Sequence, residues 1–467
     1  MSDHARAKTE GSPQRLLRAR AFSLARLSAA CLAAAALLWA FPATAFGEVR
    51  PTDEVLSQSV EQRGLADAAC PDIQAENALL IDDAGTVYFA RDAHEPVKIA
   101  SITKVMTAIV ALENAALDTE VVVDAEAAGV GESSAGLVEG DRMSLETALY
   151  ALMVPSGNDA AVAIAKTVGA LLPGYDGGDA QAAFVEAMNA KAAELGCEDT
   201  VYTNPHGLDA GTFASDCHST ASDVGLVVSY AMENETFRSV VDAGDTTITV
   251  ATAAGGARDI ALVSTDELIG VYDGICGVKT GTTEEAGYCF AGAAVRDEGS
   301  FYSVVLNSPQ SQTRFDDTVA LLDWAYGNIV QKRLINTASS VSVNGEQLPL
   351  VAEVAHQGWP AATVDATVAD PDLAVEVFAL EGPIEQGVSY EDLEGDVAEG
   401  DVVGHITFSQ AGETVAECDL IAAEAVPAPN VFQEIGVWFD RLVRSLQGQP
   451  ETATSTCLNS AEAPADV

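Results

Sequence analysis

Ser101 and Lys104 stand three residues apart in the stretch Ile99-Ala100-Ser101-Ile102-Thr103-Lys104. On a helix that spacing brings both side chains to one face about a turn apart, so the amine can reach the hydroxyl. A lysine takes a proton from a serine only while neutral, which requires burial or a neighbouring positive charge. A helix N-terminus adds backbone N–H groups and positive potential that favour the oxyanion formed when a serine attacks a carbonyl. Alone the pair carries little weight, because such spacing commonly marks a helix start followed by a surface lysine. Two later patterns change that: Ser156-Gly157-Asn158 in a short loop, and Lys279-Thr280-Gly281 in a strand-like segment. The chain has only seven lysines, and two fall in these motifs in this order, which chance explains poorly.

The surrounding text supplies elements to hold these groups. Asn77 to Ala90 reads as strand, turn and strand, and Ile99 to Asn114 as a helix with Val105, Ile109 and Leu112 on one face and Ser101 at its start. A second helix is predicted over Leu145 to Met153, with Ser144 as N-cap and Pro155 marking its end. A third begins near Asp159, and a fourth runs from Phe184 to Leu195. From Gly274 the chain reads as strand, turn and strand, and Asp317 to Tyr326 closes the region as a helix. Irregular alternation of strands and helices predicts an α/β domain of the α+β kind with an antiparallel sheet over residues 53–335.

Short strands separated by Gly, Asp and Pro then predict a small β-rich domain over 336–427. Beyond Pro427 and Pro429, an amphipathic helix is expected over 431–447, with Phe432, Ile435, Trp438, Phe439, Leu442, Val443 and Leu446 on one stripe. It fits either an interfacial membrane helix or a helix docked on the β domain. The Ala-, Glu-, Thr- and Ser-rich tail at 448–467 is expected to be disordered.

At the N-terminus, basic residues from Arg6 to Arg26 precede an apolar run from Leu27 to Phe41 and the small residues Ala43, Thr44 and Ala45, the pattern of a secretory signal peptide over 1–45. The run is too short for a membrane span of roughly 20 residues. Removing it takes the formal charge from −47 to −51, which excludes nucleic-acid binding by charge. Seven cysteines remain; Cys276 with Cys289 and Cys197 with Cys217 are candidate pairs, with buried free thiols the alternative. No Cys or His set has metal-ligand spacing, and His206 and His218, near Asp209 and Asp216, are read as structural. No metal or cofactor is expected.

Around the three motifs stand PVKIASITKVMTA, VPSGNDAAVAIAK, TNPHGLD, STASDV and GVKTGTTEEAGYCFAGAA. In this order they resemble the low-molecular-mass penicillin-binding proteins, the serine-type D-alanyl-D-alanine carboxypeptidases. The resemblance covers residues 53 to 335 as the catalytic domain, the later β region as the family's C-terminal domain, and the Trp438 helix as its membrane anchor. It implies a penicillin-binding/β-lactamase-like transpeptidase fold with a helical subdomain. It also implies an extracytoplasmic enzyme, peripheral on the outer face of the cytoplasmic membrane, whose partners are stem peptides ending in D-Ala-D-Ala and β-lactams. By resemblance, Ser101 attacks the carbonyl between two D-alanines, Lys104 is the general base, and Ser156 relays a proton to the leaving amine. Asn158 would hold the substrate amide, and Lys279 would keep the potential positive. Thr280, next to Gly281, would bind the terminal carboxylate, and Arg314 matches a carboxylate-binding arginine. The N–H groups of Ser101 and Thr282 would form the oxyanion hole.

A class A β-lactamase would need an E-x-x-L-N stretch between the second and third motifs, which this chain lacks. A D,D-endopeptidase cutting wall cross-links shares all three motifs and is the nearest enzymatic alternative. A non-catalytic β-lactam- or wall-binding protein is the other, against which Ser101, Lys104 and Lys279 stand intact.

Overall fold

The apolar text Ala78-Leu79-Leu80-Ile81 is continuous rather than alternating, which demands that both faces of its strand be covered. The computed structural model describes residues 49–462, and the expected signal peptide lies outside them. Seven strands form the main sheet: β1 (Asp53–Val55), β2 (Gln58–Ser59), β3 (Asn77–Asp82), β4 (Val87–Arg91), β5 (Ile275–Thr283), β6 (Gly287–Arg296) and β7 (Gly299–Ser308). Their spatial order is β2-β1-β4-β3-β7-β6-β5, with every pairing antiparallel. Successive side chains point to opposite faces. Leu79 and Ile81 therefore enter one core with Ala291, Ala293 and Val304, while Ala78 and Leu80 enter another with Phe290, Phe301 and Val305. At the sheet's N-terminal side, the Arg91 guanidinium donates to both carboxylate oxygens of buried Asp53, at 2.6 and 2.7 Å.

The first core is covered by α1 (Lys104–Asn114), α2 (Leu145–Met153), α3 (Asn158–Gly169), α4 (Ala180–Glu194) and α5 (Ala221–Met232). The second is closed by α6 (Thr313–Asn328), through Phe315, Leu321, Leu322 and Ala325. The α2 helix has the predicted bounds, and the Ser144 hydroxyl accepts from the Thr147 N–H as its cap. The expected helix over Ile99 to Asn114 differs at its start. Residues 100–103 form a 3-10 turn, because Ala100 has a φ of +47° and cannot continue an α-helix.

Past Leu334 the chain builds a second sheet from β8 (Ala352–Ala355), β9 (Thr363–Val368), β10 (Ile384–Tyr390), β11 (Val402–Gln410), β12 (Glu413–Ala422) and β13 (Thr456–Cys457), ordered β10-β11-β12-β9-β8-β13. Its own core includes Val354, Val364, Ile406, Phe408 and Leu420. The Phe378 ring meets Tyr88 and Trp324 of the first domain edge-on, at centroid distances of 4.7 and 5.5 Å. The tail departs from the expected disorder. Thr456 and Cys457 pair with β8, and the Asn459 side chain donates to Leu334 O at 2.9 Å and accepts from the Asn336 N–H at 2.7 Å. Low hydrophobicity is a poor guide here, because backbone pairing to an existing sheet edge orders the segment.

The last helix, α7 (Val431–Leu446), is capped by Asn430, whose side chain accepts from the Gln433 N–H while Gln433 reaches back to the Asn430 N–H. Its apolar stripe is not docked on the β domain: Phe432 is 88% exposed, Trp438 65% and Phe439 61%. Among the described residues no helix is long and apolar enough to cross a membrane. All seven described cysteines are free. Cys289 lies opposite Gly281 in the hairpin ladder, whereas the Cys276 thiol donates to Ala293 O, so the ladder register separates the two sulfurs. Cys197 and Cys217 are likewise unbonded to each other.

Candidate active site

The three motifs meet at one edge of the main sheet. Ser101, on the 3-10 turn, is partly exposed. Lys104, at the first position of α1, is fully buried, and its Nζ reaches Ser101 Oγ at 2.8 Å, Asn158 Oδ1 at 2.7 Å and His206 O at 2.9 Å. Burial, and then the Lys279 charge, drive the Lys104 amine well below the ordinary lysine range, with Asp159 opposing. An amine displaced toward its neutral form, 2.8 Å from a hydroxyl, can take its proton.

Ser156 is nearly buried, has a φ of +63°, and presents an Oγ without a hydrogen-bond partner. Positive φ on a non-glycine residue costs energy and persists only where neighbours over-determine it. Three residues on, the Asp159 carboxylate accepts from the Ala135 and Leu137 N–H groups and the Ser134 hydroxyl, which ties the facing loop to the start of α3. Asn158 Oδ1 accepts from Lys104 and its Nδ2 donates to Gly131 O at 3.0 Å, so the amide links the buried amine to the facing loop.

On β5, Lys279 is 1% exposed and donates to Thr280 O at 3.0 Å. Burial, then Arg314, lower its amine to about 7, with Asp266 opposing. Thr280 donates its hydroxyl to Thr265 Oγ1 at 2.6 Å. Gly281 lets β5 run against the serine turn, since a Cβ there would lie 2.8 Å from Ile99 O and 3.2 Å from Ser101 N. Arg314, in the first turn of α6, donates to Thr282 Oγ1 at 2.9 Å and Gly281 O at 3.2 Å, while its Nε is buried without a partner. The structure thus brings together Ser101, Lys104, Ser156, Asn158, Lys279, Thr280, Gly281, Thr282 and Arg314.

Other participants escaped the sequence reading. The TNPHGLD stretch was legible as a motif, but its use is through the backbone. His206 O accepts from Lys104, and Gly207, at φ +88°, packs where a Cβ would strike Ala100 O at 1.9 Å. The His206 ring is neutral: burial, then Lys104, lower it to about 3. Thr265 and Asp266, which adjoin the Lys279 strand, lie in no motif. Among the described residues no group of three His, Cys, Asp or Glu is placed to hold a metal.

Fold and site together define the class: a serine–lysine protein of the DD-transpeptidase, or penicillin-binding, fold, with a second β-rich domain. The family model described as D-alanyl-D-alanine carboxypeptidase matches residues 65–310, and the chain belongs to that peptidase family. It is 26% identical to the D-alanyl-D-alanine carboxypeptidase DacF of Bacillus subtilis, over 75% of this chain and 85% of that one. With DacB2 of Mycobacterium tuberculosis the identity is 34%, over 55% and 84%. The crystal structure of the Streptomyces K15 DD-transpeptidase superposes with a TM-score of 0.52 at 31% identity, covering 55% of this chain and 98% of that chain. The carboxypeptidase DacD from Francisella tularensis, at 23% identity, shares the fold over 76% of this chain and 94% of its own, also with a TM-score of 0.52.

Proposed function

We propose that the protein is an extracytoplasmic D-alanyl-D-alanine carboxypeptidase that releases the terminal D-alanine of wall stem peptides and is acylated by penicillins. The observation that carries the reading is the buried Lys104 amine, displaced toward its neutral form and 2.8 Å from Ser101 Oγ. Ser101 Oγ attacks the carbonyl between the two D-alanines while Lys104 takes its proton. The Ser101 and Thr282 N–H groups stabilise the oxyanion, and Lys279, Thr280 and Arg314 hold the terminal carboxylate. The C–N bond breaks as a proton passes through Ser156, whose hydroxyl makes no hydrogen bond within the protein, to the leaving amine. Water then hydrolyses the ester, with Lys104 again as base, and restores Ser101. No metal or cofactor enters the cycle.

The test is release of free D-alanine from a soluble peptide ending in D-Ala-D-Ala, measured with the mature protein. Release is expected. Cleavage confined to cross-linked dimers would replace this reading with the D,D-endopeptidase one, and covalent penicillin binding without any hydrolysis would leave a binding protein.

The exposed stripe of α7 supports peripheral membrane attachment, since an amphipathic helix with unburied Phe and Trp gains free energy by entering a lipid interface. The expected result is co-flotation with phosphatidylcholine vesicles and a blue shift of Trp fluorescence. Replacing Phe432, Trp438 and Phe439 together by Ser should abolish flotation. Point changes are preferable to truncation because β13, beyond the helix, belongs to the second sheet. Flotation unchanged in the triple variant would refute the anchor.

A further inference from the structure

β5 is the last strand in the order of the main sheet, paired to β6 along one edge, and it carries Lys279, Thr280 and Thr282. Its approach to the serine turn is limited by contact, since a Cβ at Gly281 would already lie 2.8 Å from Ile99 O. Packing of that kind resists approach, whereas resisting separation takes a directional bond. One stands at the end of the strand. Thr283, the last residue of β5, donates its hydroxyl to Asp209 Oδ2 at 2.6 Å and accepts from the Ala286 N–H at 3.0 Å in the hairpin turn. Asp209 is buried, and its Oδ1 has no hydrogen-bond partner. A buried carboxylate bonded at one oxygen is a costly way to close a loop, which asks for a further reason.

The other end of that bond is fixed to the base. Asp209 closes the TNPHGLD stretch, which α1 holds at two points: Lys104 donates to His206 O at 2.9 Å, and the Thr107 hydroxyl donates to Pro205 O at 2.6 Å. Within the stretch, Asn204 Oδ1 accepts from the Gly207 N–H at 2.6 Å and its Nδ2 donates to Leu208 O at 2.9 Å. The loop is thereby braced up to the residue before Asp209. We propose that Asp209 is a positioning residue of the acyl-transfer site. Through Thr283 it ties the strand that holds the substrate carboxylate to the loop that holds the base, and so sets the spacing between them. The inference rests on the acyl-enzyme reading above for its functional meaning. Neither residue belongs to the three motifs, yet a small displacement of one side of such a site against the other is enough to weaken capture of the substrate.

The test separates capture from chemistry. Saturation kinetics with a fluorescent penicillin give a half-saturating concentration and a limiting acylation rate. Thr283→Val removes the hydroxyl and should raise the half-saturating concentration about tenfold, leaving the limiting rate within about twofold because the Lys104 contacts are untouched. Thr283→Ser keeps the hydroxyl and should return most of the loss. Asp209→Ala should match Thr283→Val, and the double variant should be no weaker than either, because one shared bond is lost once. A role confined to folding would instead lower the fraction of molecules that titrate with penicillin and leave the half-saturating concentration of the rest in place. Wild-type values in Thr283→Val would overturn the inference, as would additive losses in the double variant or a Thr283→Ser no better than Thr283→Val. If Asp209→Ala does not fold, the two Thr283 variants decide alone. Hydrogen exchange at the β5 amides reads the tie without any chemistry: it should be faster in Thr283→Val than in Thr283→Ser, and equal rates would also overturn the inference. If the variants behave as expected while the wild type releases no D-alanine, the carboxypeptidase reading fails and the positioning by Asp209 stands.

Discussion

Ser101→Ala is expected to form no covalent adduct with a fluorescent penicillin under conditions that label the wild type to completion. The substitution removes the atom that must become the ester oxygen, so the loss is of the step itself rather than of its rate. The scaffold around it should persist. Lys104 keeps its bonds to Asn158 and His206, and Ala100 and Gly281 still pack on each other across the turn. Loss of one partly exposed hydrogen bond changes stability by about 1 kcal/mol. A melting temperature near that of the wild type therefore accompanies complete loss of labelling. Non-covalent binding of the β-lactam carboxylate at Lys279, Thr280 and Arg314 should survive and be displaceable by competing ligand. Labelling that persists, with the adduct mapped by peptide sequencing to Ser156, would refute the nucleophile assignment and transfer it to the second motif.

Lys104→Met should slow penicillin acylation by about a thousandfold, the middle of the range for removing a general base. Methionine fills the buried volume without a polar head, so packing is nearly conserved. Two opposed changes follow for stability. The Asn158 Oδ1 and His206 O acceptors lose their donor, at a cost of about 1–3 kcal/mol each, whereas a buried amine that resists its proton disappears. Because the folded-state value of Lys104 is depressed, the unfolded chain binds more protons. The wild type therefore gains stability from this group as pH rises, from its folded midpoint up to the ordinary lysine range. The variant should lack that gain. Lys104→Arg separates base from cation: arginine cannot become neutral, so it should be as slow as methionine. Rapid acylation by Lys104→Arg would show that a positive charge, rather than a proton acceptor, is what Ser101 requires.

Parts of this molecule were legible before any coordinates. The α2 helix is one, because Ser144, the apolar face and Pro155 are local signals that act within a few residues. The order of Ser101, Ser156 and Lys279 is another, since their residue types and short spacings constrain the chemistry wherever the chain places them. The amphipathic stripe of α7 was equally plain, but not which side it faced. A helix docked on its domain and a helix left for a membrane share one pattern, and only the exposed Phe432 and Trp438 separate them.

Other features had no local signal. The order in the tail comes from a sheet edge at Ala352 and Glu353, about a hundred residues earlier in the chain. The engagement of Asn158 depends on Gly131 and Lys104 arriving on either side of it. Sequence by itself determined the helix caps, the hairpin text and the set of side chains able to perform acyl transfer, because these follow from residue type and near-neighbour spacing. Tertiary structure alone decided how far the Lys104 and Lys279 amines are displaced toward their neutral forms and the close pass of Gly281 over Ser101. The physical reason is that burial and Coulomb interactions are set by distance through space, and the groups that impose them come from α6, from a loop and from β5, which meet only when the chain is folded.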